Sequence, residues 1–162
     1  MNRLPTLLRP ARAEDCPAIY DVHRYAVRFT CLQSYNETVL NAWLPLLDPR
    51  IYAEALSNAA KELWVIEYRN RLHGFFQIDL ERAQLDALYV HPFVHKQGLG
   101  TALLNRAEER MAKANHSIIS LYASENSTPF YLINGYESLG NAVMPLNETV
   151  NAGCRLMRKH LL

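Results

Sequence analysis

Cysteine is scarce in this 162-residue chain, at Cys16, Cys31 and Cys154 only. An odd, widely spaced set with no Cys-x-x-Cys pair excludes a disulfide scaffold and a thiolate zinc site, and a reduced cytoplasmic setting is expected. A charge excess of either sign is also missing. With 17 basic and 16 acidic residues the net charge is +1 and no block of like charge stands out, so neither nucleic acid nor an anionic membrane is an expected partner. No stretch approaches the roughly 18 consecutive apolar residues of a spanning helix. The opening "MNRLPTLLRPAR" is basic, but Pro5 and Arg9 cut its apolar run, so no secretion signal is expected there. Repeats, low-complexity tracts and linkers are absent, which predicts one domain over residues 1–162. His91 and His95 are separated by Pro92, which prevents the helical turn that would align two metal ligands, and no metal is expected.

What is present suits a folded α/β domain: 49% of residues are hydrophobic and 20% charged. Leu7 to Pro10 reads as a short strand, and Ala18, Ile19, Val22, Tyr25, Ala26 and Phe29 recur at helical spacing. "SYNETVLNAWLPLLDPRIYAEALSNAAK" predicts two short helices broken near Pro45 and Pro49. "LWVIEY" and "HGFFQIDLE", separated by a polar turn, predict an antiparallel pair, and "AQLDALYV" a third strand. Leu103, Leu104, Ala107, Met111 and Ala114 mark the apolar face of a helix beginning near Thr101. "SIISLYAS" is strand-like. A short helix follows, with Thr128 as its cap, Pro129 at its first position and Gly135 at its end. "ESLGNAVMPL" and "GCRLMRKHL" predict two final strands. The strand-helix-strand unit implies that "AQLDALYV" and "SIISLYAS" lie parallel in a mixed sheet.

Two of the chain's six glycines, Gly98 and Gly100, fall where the third strand hands over to the long helix. Amides at a helix start have no intrahelical partner, missing Cβ atoms let a ligand approach them, and the helix dipole adds positive potential, so such a start attracts phosphate. His95 and Lys96 can add donors or charge to the same anion. The bland alternative is a tight turn that needs glycine for its backbone alone. Two known phosphate loops do not fit: no lysine follows Gly100, as the Walker pattern requires, and Leu103 stands where a dinucleotide fingerprint needs a third glycine.

"HPFVHKQGLGTALL" resembles the acetyl-CoA signature of the GNAT superfamily of N-acetyltransferases, Gln/Arg-x-x-Gly-x-Gly/Ala, with Gly98 and Gly100 as its glycines and His95 in place of its first residue. "SENSTPFYLINGYE" resembles a second segment of that family on Asn126, Tyr131, Gly135 and Tyr136. The order of elements is similar over nearly the whole chain. The resemblance implies a GNAT-type acyltransferase fold, a mixed sheet whose two central parallel strands splay apart, with acetyl-CoA as co-substrate in the gap.

Carried over residue by residue, the resemblance implies that the backbone of Leu88, Tyr89 and Val90 holds the pantetheine arm and thioester, with the Val90 N-H as oxyanion donor. His95, Lys96, Gln97, Gly98, Leu99, Gly100 and Thr101 would hold the pyrophosphate, and Asn126 the cofactor arm. Tyr131 would be the general acid that protonates the departing thiolate, its pKa lowered by the helix start at Pro129; the alternative is a packing role in the apolar "PFY" run. Asp86 is the expected base for the incoming amine, placed by period-two alternation on the same face as Leu88 and Val90, with Asp79 and Glu81 as rivals and a pairing with Arg82 as the alternative. Phe29, Tyr35 and Trp43 belong to the segment that covers the acceptor pocket in such proteins, making Phe29, Tyr35 and Asp79 candidate substrate contacts. The implied reaction is acetyl transfer to a primary amine, with a small-molecule acceptor favoured over a protein tail and a monomer or homodimer as the assembly.

Overall fold

The computed structural model describes residues 6–94 and 98–161. Seven strands form one mixed sheet in the order β1-β2-β3-β4-β5-β7-β6: β1 Thr6–Pro10, β2 Lys61–Tyr68, β3 Arg71–Asp79, β4 Gln84–Val90, β5 Ile118–Ser124, β6 Glu137–Pro145 and β7 Asn151–His160. Helices α1 (Cys16–Tyr25), α2 (Glu37–Trp43) and α3 (Pro49–Leu56) precede β2, α4 (Leu99–Lys113) joins β4 to β5, and α5 (Thr128–Ile133) precedes β6. Each predicted element is present. Prolines punctuate as expected: Pro45 lies in the short turn between α2 and α3, and Pro49 opens α3 at its first position. Two local readings change: the first helix passes at Ala26–Thr30 into a π-helical turn, and α5 starts at Thr128 itself, whose hydroxyl donates to the Ser124 carbonyl instead of capping.

Alternation sorts the sheet's side chains into two layers. Leu85, Leu88 and Val90 of β4 join Ile119, Leu121 and Ala123 of β5 against Leu103, Leu104, Ala107 and Met111 of α4. On the opposite face Val65, Phe75, Ala87 and Tyr89 pack against Ile19 and Val22 of α1 and Tyr52 of α3. A third cluster brings Leu40 and Trp43 of α2 onto the β6–β7 end, with Ala152 and Leu146.

Two departures from a regular ladder shape the centre of the sheet. First, β4 and β5 run parallel but pair only at Gln84–Ser120 and Leu85–Leu121, so the strands fork beyond that point. Second, β4 bulges: Ala87 pairs with Gln77 and Leu85 with Ile78, leaving Asp86 as the extra residue. A bulge resets the alternation. Asp86 therefore lies on the Gln77 and Ala87 side, the face of α1 and α3, and not on the Leu88 and Val90 side that simple alternation predicts.

Candidate active site in the sheet fork

The fork opens into a cavity of about 470 Å³, lined by β4 and the residues after it from Leu85 to Pro92, the start of α4 from Gly98 to Thr101, β5 from Leu121 to Ser124, and Phe130 and Tyr131 of α5. Ala26, Thr30 and Cys31 close it from the segment after α1. The backbone of β4 is committed on one edge only. The His91 N-H donates to the His73 carbonyl at 2.7 Å, toward β3, and amides along a strand alternate edges, so those of Val90 and Leu88 point the other way, into the fork where β5 has diverged.

The start of α4 offers a second row of donors. Gly98 holds the N-cap position in the left-handed region, φ 72°, with no side-chain cap and no acidic residue in the first turn. Its glycine is needed for backbone conformation, since a Cβ there would meet nothing within 4 Å. Gly100 differs: its backbone is ordinary, and a Cβ would lie 3.5 Å from the Phe130 ring, on the cavity wall. His95, Lys96 and Gln97 lie outside the described residues.

Asn126 supplies an acceptor without a donor. Its Oδ1 is buried and unbonded among the described residues, an arrangement that costs about 1–3 kcal/mol unless a ligand group completes it. Beside it the Cys31 thiol is pushed up to about 12 by burial, offset in part by its bond with Asn126, so it is a neutral wall and not a nucleophile. Free strand amides, an uncapped helix start and an orphaned amide oxygen around one elongated cavity fit the pantetheine and diphosphate of coenzyme A.

Tyr131 reaches the cavity from α5, wedged between Phe130 and Tyr136 with ring centroids 5.1 and 5.5 Å away. Its hydroxyl makes no hydrogen bond among the described residues. Burial raises its pKa above the ordinary tyrosine value, the reverse of the lowering expected from the helix start; desolvation of the phenolate outweighs the dipole of a six-residue helix. The phenol therefore stays protonated. Asp86, at the closed end of the fork, accepts from Lys61 Nζ and Gln77 Nε2, each at 3.0 Å, and from Gln84 Nε2 at 3.3 Å. Lys61 and Gln77 come from β2 and β3, and only the sheet register brings them there.

The remaining candidates are placed elsewhere. The buried Tyr35 donates to the Gly153 carbonyl at 2.5 Å and accepts from the Glu125 N-H at 3.0 Å, tying β7 to the turn after β5, and does not line the cavity. Buried Asp79 caps the turn after β3 by accepting from the Glu81 and Arg82 amides, and its other oxygen is 3.8 Å from Lys61 Nζ. Phe29 is exposed at the rim, stacked on Tyr25 and 5.6 Å from Phe93. His91, read in the sequence only as a failed metal ligand, lines the cavity; burial and then the charge of His73 lower its pKa, so it is neutral near pH 7. Tyr122 also lines the cavity, and nothing in the strand-like run "SIISLYAS" singled it out. Among the described residues no cluster of three metal-ligating side chains forms and no helix is long and apolar enough to cross a membrane.

Comparison with known proteins places this geometry. No curated protein matches the chain. Among solved structures it is similar to a GCN5-related N-acetyltransferase from Rhodopseudomonas palustris, at a TM-score of 0.90 and 22% identity over 99% of both chains. It is also similar to the PaiA N-acetyltransferase of Thermoplasma acidophilum in complex with coenzyme A, at 0.78 and 20% over 97% of this chain and 99% of that one. A third is the ribosomal-protein-S18-alanine N-acetyltransferase of Escherichia coli, at 0.72 and 13% over 97% and 94%. The model of the acetyltransferase (GNAT) domain matches residues 31–158, a span that holds the fork, the glycine-led helix start and Tyr131, and the chain belongs to the GNAT acetyltransferase family.

Proposed function

We propose that this protein transfers an acetyl group from acetyl-CoA to a primary amine by direct attack on the thioester. The observation that carries the reading is the fork itself. Strand amides at Leu88 and Val90, helix-start amides at Leu99, Gly100 and Thr101, and the unbonded Asn126 oxygen form one continuous set of partners for an extended pantetheine and its diphosphate. The coenzyme-A complex of the similar Thermoplasma protein supports it.

In the reaction the amine nitrogen forms a bond to the acetyl carbon, the carbon-sulfur bond breaks, and the oxygen carries negative charge in between. The Val90 N-H is assigned to that oxygen, a contribution of about 3 kcal/mol in comparable acyl transfers. Tyr131 donates its proton to the departing thiolate. Its raised pKa does not defeat this role, because the thiolate leaves within the same low-dielectric cavity, where desolvation raises its own pKa in the same direction. Asp86 faces the amine side of the fork and is assigned to holding the incoming ammonium while its proton leaves through water.

Thiol release from acetyl-CoA in the presence of an amine panel tests this. Amine-dependent release is expected, with acetylated amine recovered in equal amount. Tight coenzyme-A binding with no release from any primary amine, including peptide N-termini, would show a sensor of the cofactor instead.

A further inference from the structure

The last rung of the β4–β5 ladder is Leu85 with Leu121, and both side chains enter the core beneath α4. The next residue on each strand, Asp86 and Tyr122, therefore projects to the opposite face, and the two flank the first step at which the strands part. Both line the cavity. Tyr122 is 55% exposed although β5 is an interior strand between β4 and β7, and its chain neighbours Leu121 and Ala123 are buried. Among the described residues its ring stacks on no other aromatic group and its hydroxyl makes no bond. A bare tyrosine ring in the middle of a sheet, beside a cavity, is a surface available to a ligand.

The charge at this point is one-sided. Asp86 is the single formally charged side chain among the described residues that line the cavity. Behind it, Lys61 serves two carboxylates, 3.0 Å from Asp86 and 3.8 Å from Asp79, which leaves a net negative cluster. Arg158, on the same sheet face as Tyr122, is held by Glu137 at 2.7 Å. No described lysine or arginine lines the cavity to receive an acceptor's carboxylate.

A carboxylate opposite an open aromatic face recognises an ammonium group by ion pairing on one side and cation-π attraction on the other. We infer that Asp86 and Tyr122 form the acceptor subsite, and that it takes a small aliphatic mono- or polyamine with no carboxylate on the carbon bearing the reactive nitrogen. Free α-amino acids, which carry a carboxylate one carbon from the amine, meet Asp86 with like charge. The inference rests on the acetyl-transfer reading for its use in catalysis, but the binding it describes does not need turnover.

The test uses the full chain with 1-aminopropane, 1,4-diaminobutane and 2-aminobutanoate, the last being the first with a carboxylate added. Thiol-release kinetics are expected to give a kcat/KM for 2-aminobutanoate about tenfold or more below that for 1-aminopropane. Tyr122→Ala should raise the amine KM about five- to tenfold while the acetyl-CoA KM stays unchanged, and Tyr122→Phe, which keeps the ring, should restore the amine KM. In parallel, 1,4-diaminobutane should raise the melting temperature of the coenzyme-A-bound wild type, and this rise should be lost in Tyr122→Ala though its response to coenzyme A alone persists. An unchanged amine KM in Tyr122→Ala, a preference for 2-aminobutanoate, or no thermal response to either uncarboxylated amine overturns the subsite. Thermal responses to amines without thiol release would instead leave the subsite standing and remove the acetyl-transfer reading.

Discussion

A tyrosine and a histidine show how burial sets chemistry one side chain at a time. Tyr131 is buried against two aromatic rings and lines the cavity, and phenylalanine would keep its packing while removing the proton that the proposed mechanism requires. Tyr131→Phe should lower kcat about a hundredfold or more, with little change in the coenzyme-A dissociation constant measured calorimetrically. His23 has a different fate. It is enclosed between Tyr89 and Phe75, its Nδ1 is 2.8 Å from the Tyr52 hydroxyl, and burial pushes it down to about 3. In the unfolded chain the same histidine titrates near 6.5, so below that pH the unfolded state binds a proton that the folded state does not. Stability contributed by neutral His23 is therefore complete above about pH 6.5 and declines as pH falls toward 3; between pH 6.5 and 5 the loss is about 2 kcal/mol. Urea unfolding at the two pH values should show this increment in wild type and lack it in His23→Asn.

At the scale of elements, the two glycines that announce the site do separate jobs. Gly98 is required by a left-handed backbone, whereas Gly100 has a normal backbone and leaves a wall of the cavity bare. Gly98→Ala should cost roughly 1–2 kcal/mol of folding stability, since a Cβ in that conformation is strained. Gly100→Ala should leave stability unchanged or slightly higher, because alanine is the better helix residue and its Cβ makes only ordinary contact with Phe130, yet it should weaken coenzyme-A binding by occupying the approach to the amides. Chemical denaturation and calorimetry on the two variants separate these effects. The glycine-helix junction was readable from the letters because turn chemistry is local. The bulge at Asp86 was not, since it arises from the pairing of the consecutive residues Gln77 and Ile78 with Ala87 and Leu85, which lie one on either side of Asp86 in a neighbouring strand.

On the whole-molecule scale the β5 side of the fork is tied down by a residue distant in sequence. Tyr35 fastens the turn after β5 to β7, so Tyr35→Phe should cost about 1–3 kcal/mol in urea unfolding by leaving the Gly153 carbonyl without its donor. The amine KM should be little affected, since Tyr35 lies off the cavity. Read alone, the chain determined its element order, the parallel pair at the centre, the glycine-led helix and the place of Tyr131 at the start of a short helix, because periodicity, capping and proline act over a few residues. The tertiary structure alone decided that β4 and β5 part after two rungs, that Asp86 turns to the α1 and α3 face and meets Lys61, that Tyr131 is desolvated, and that Tyr35 and Asp79 make structural ties away from the cavity lining. Each of these depends on register between strands or on the sum of surrounding atoms, quantities that no local run of residues contains.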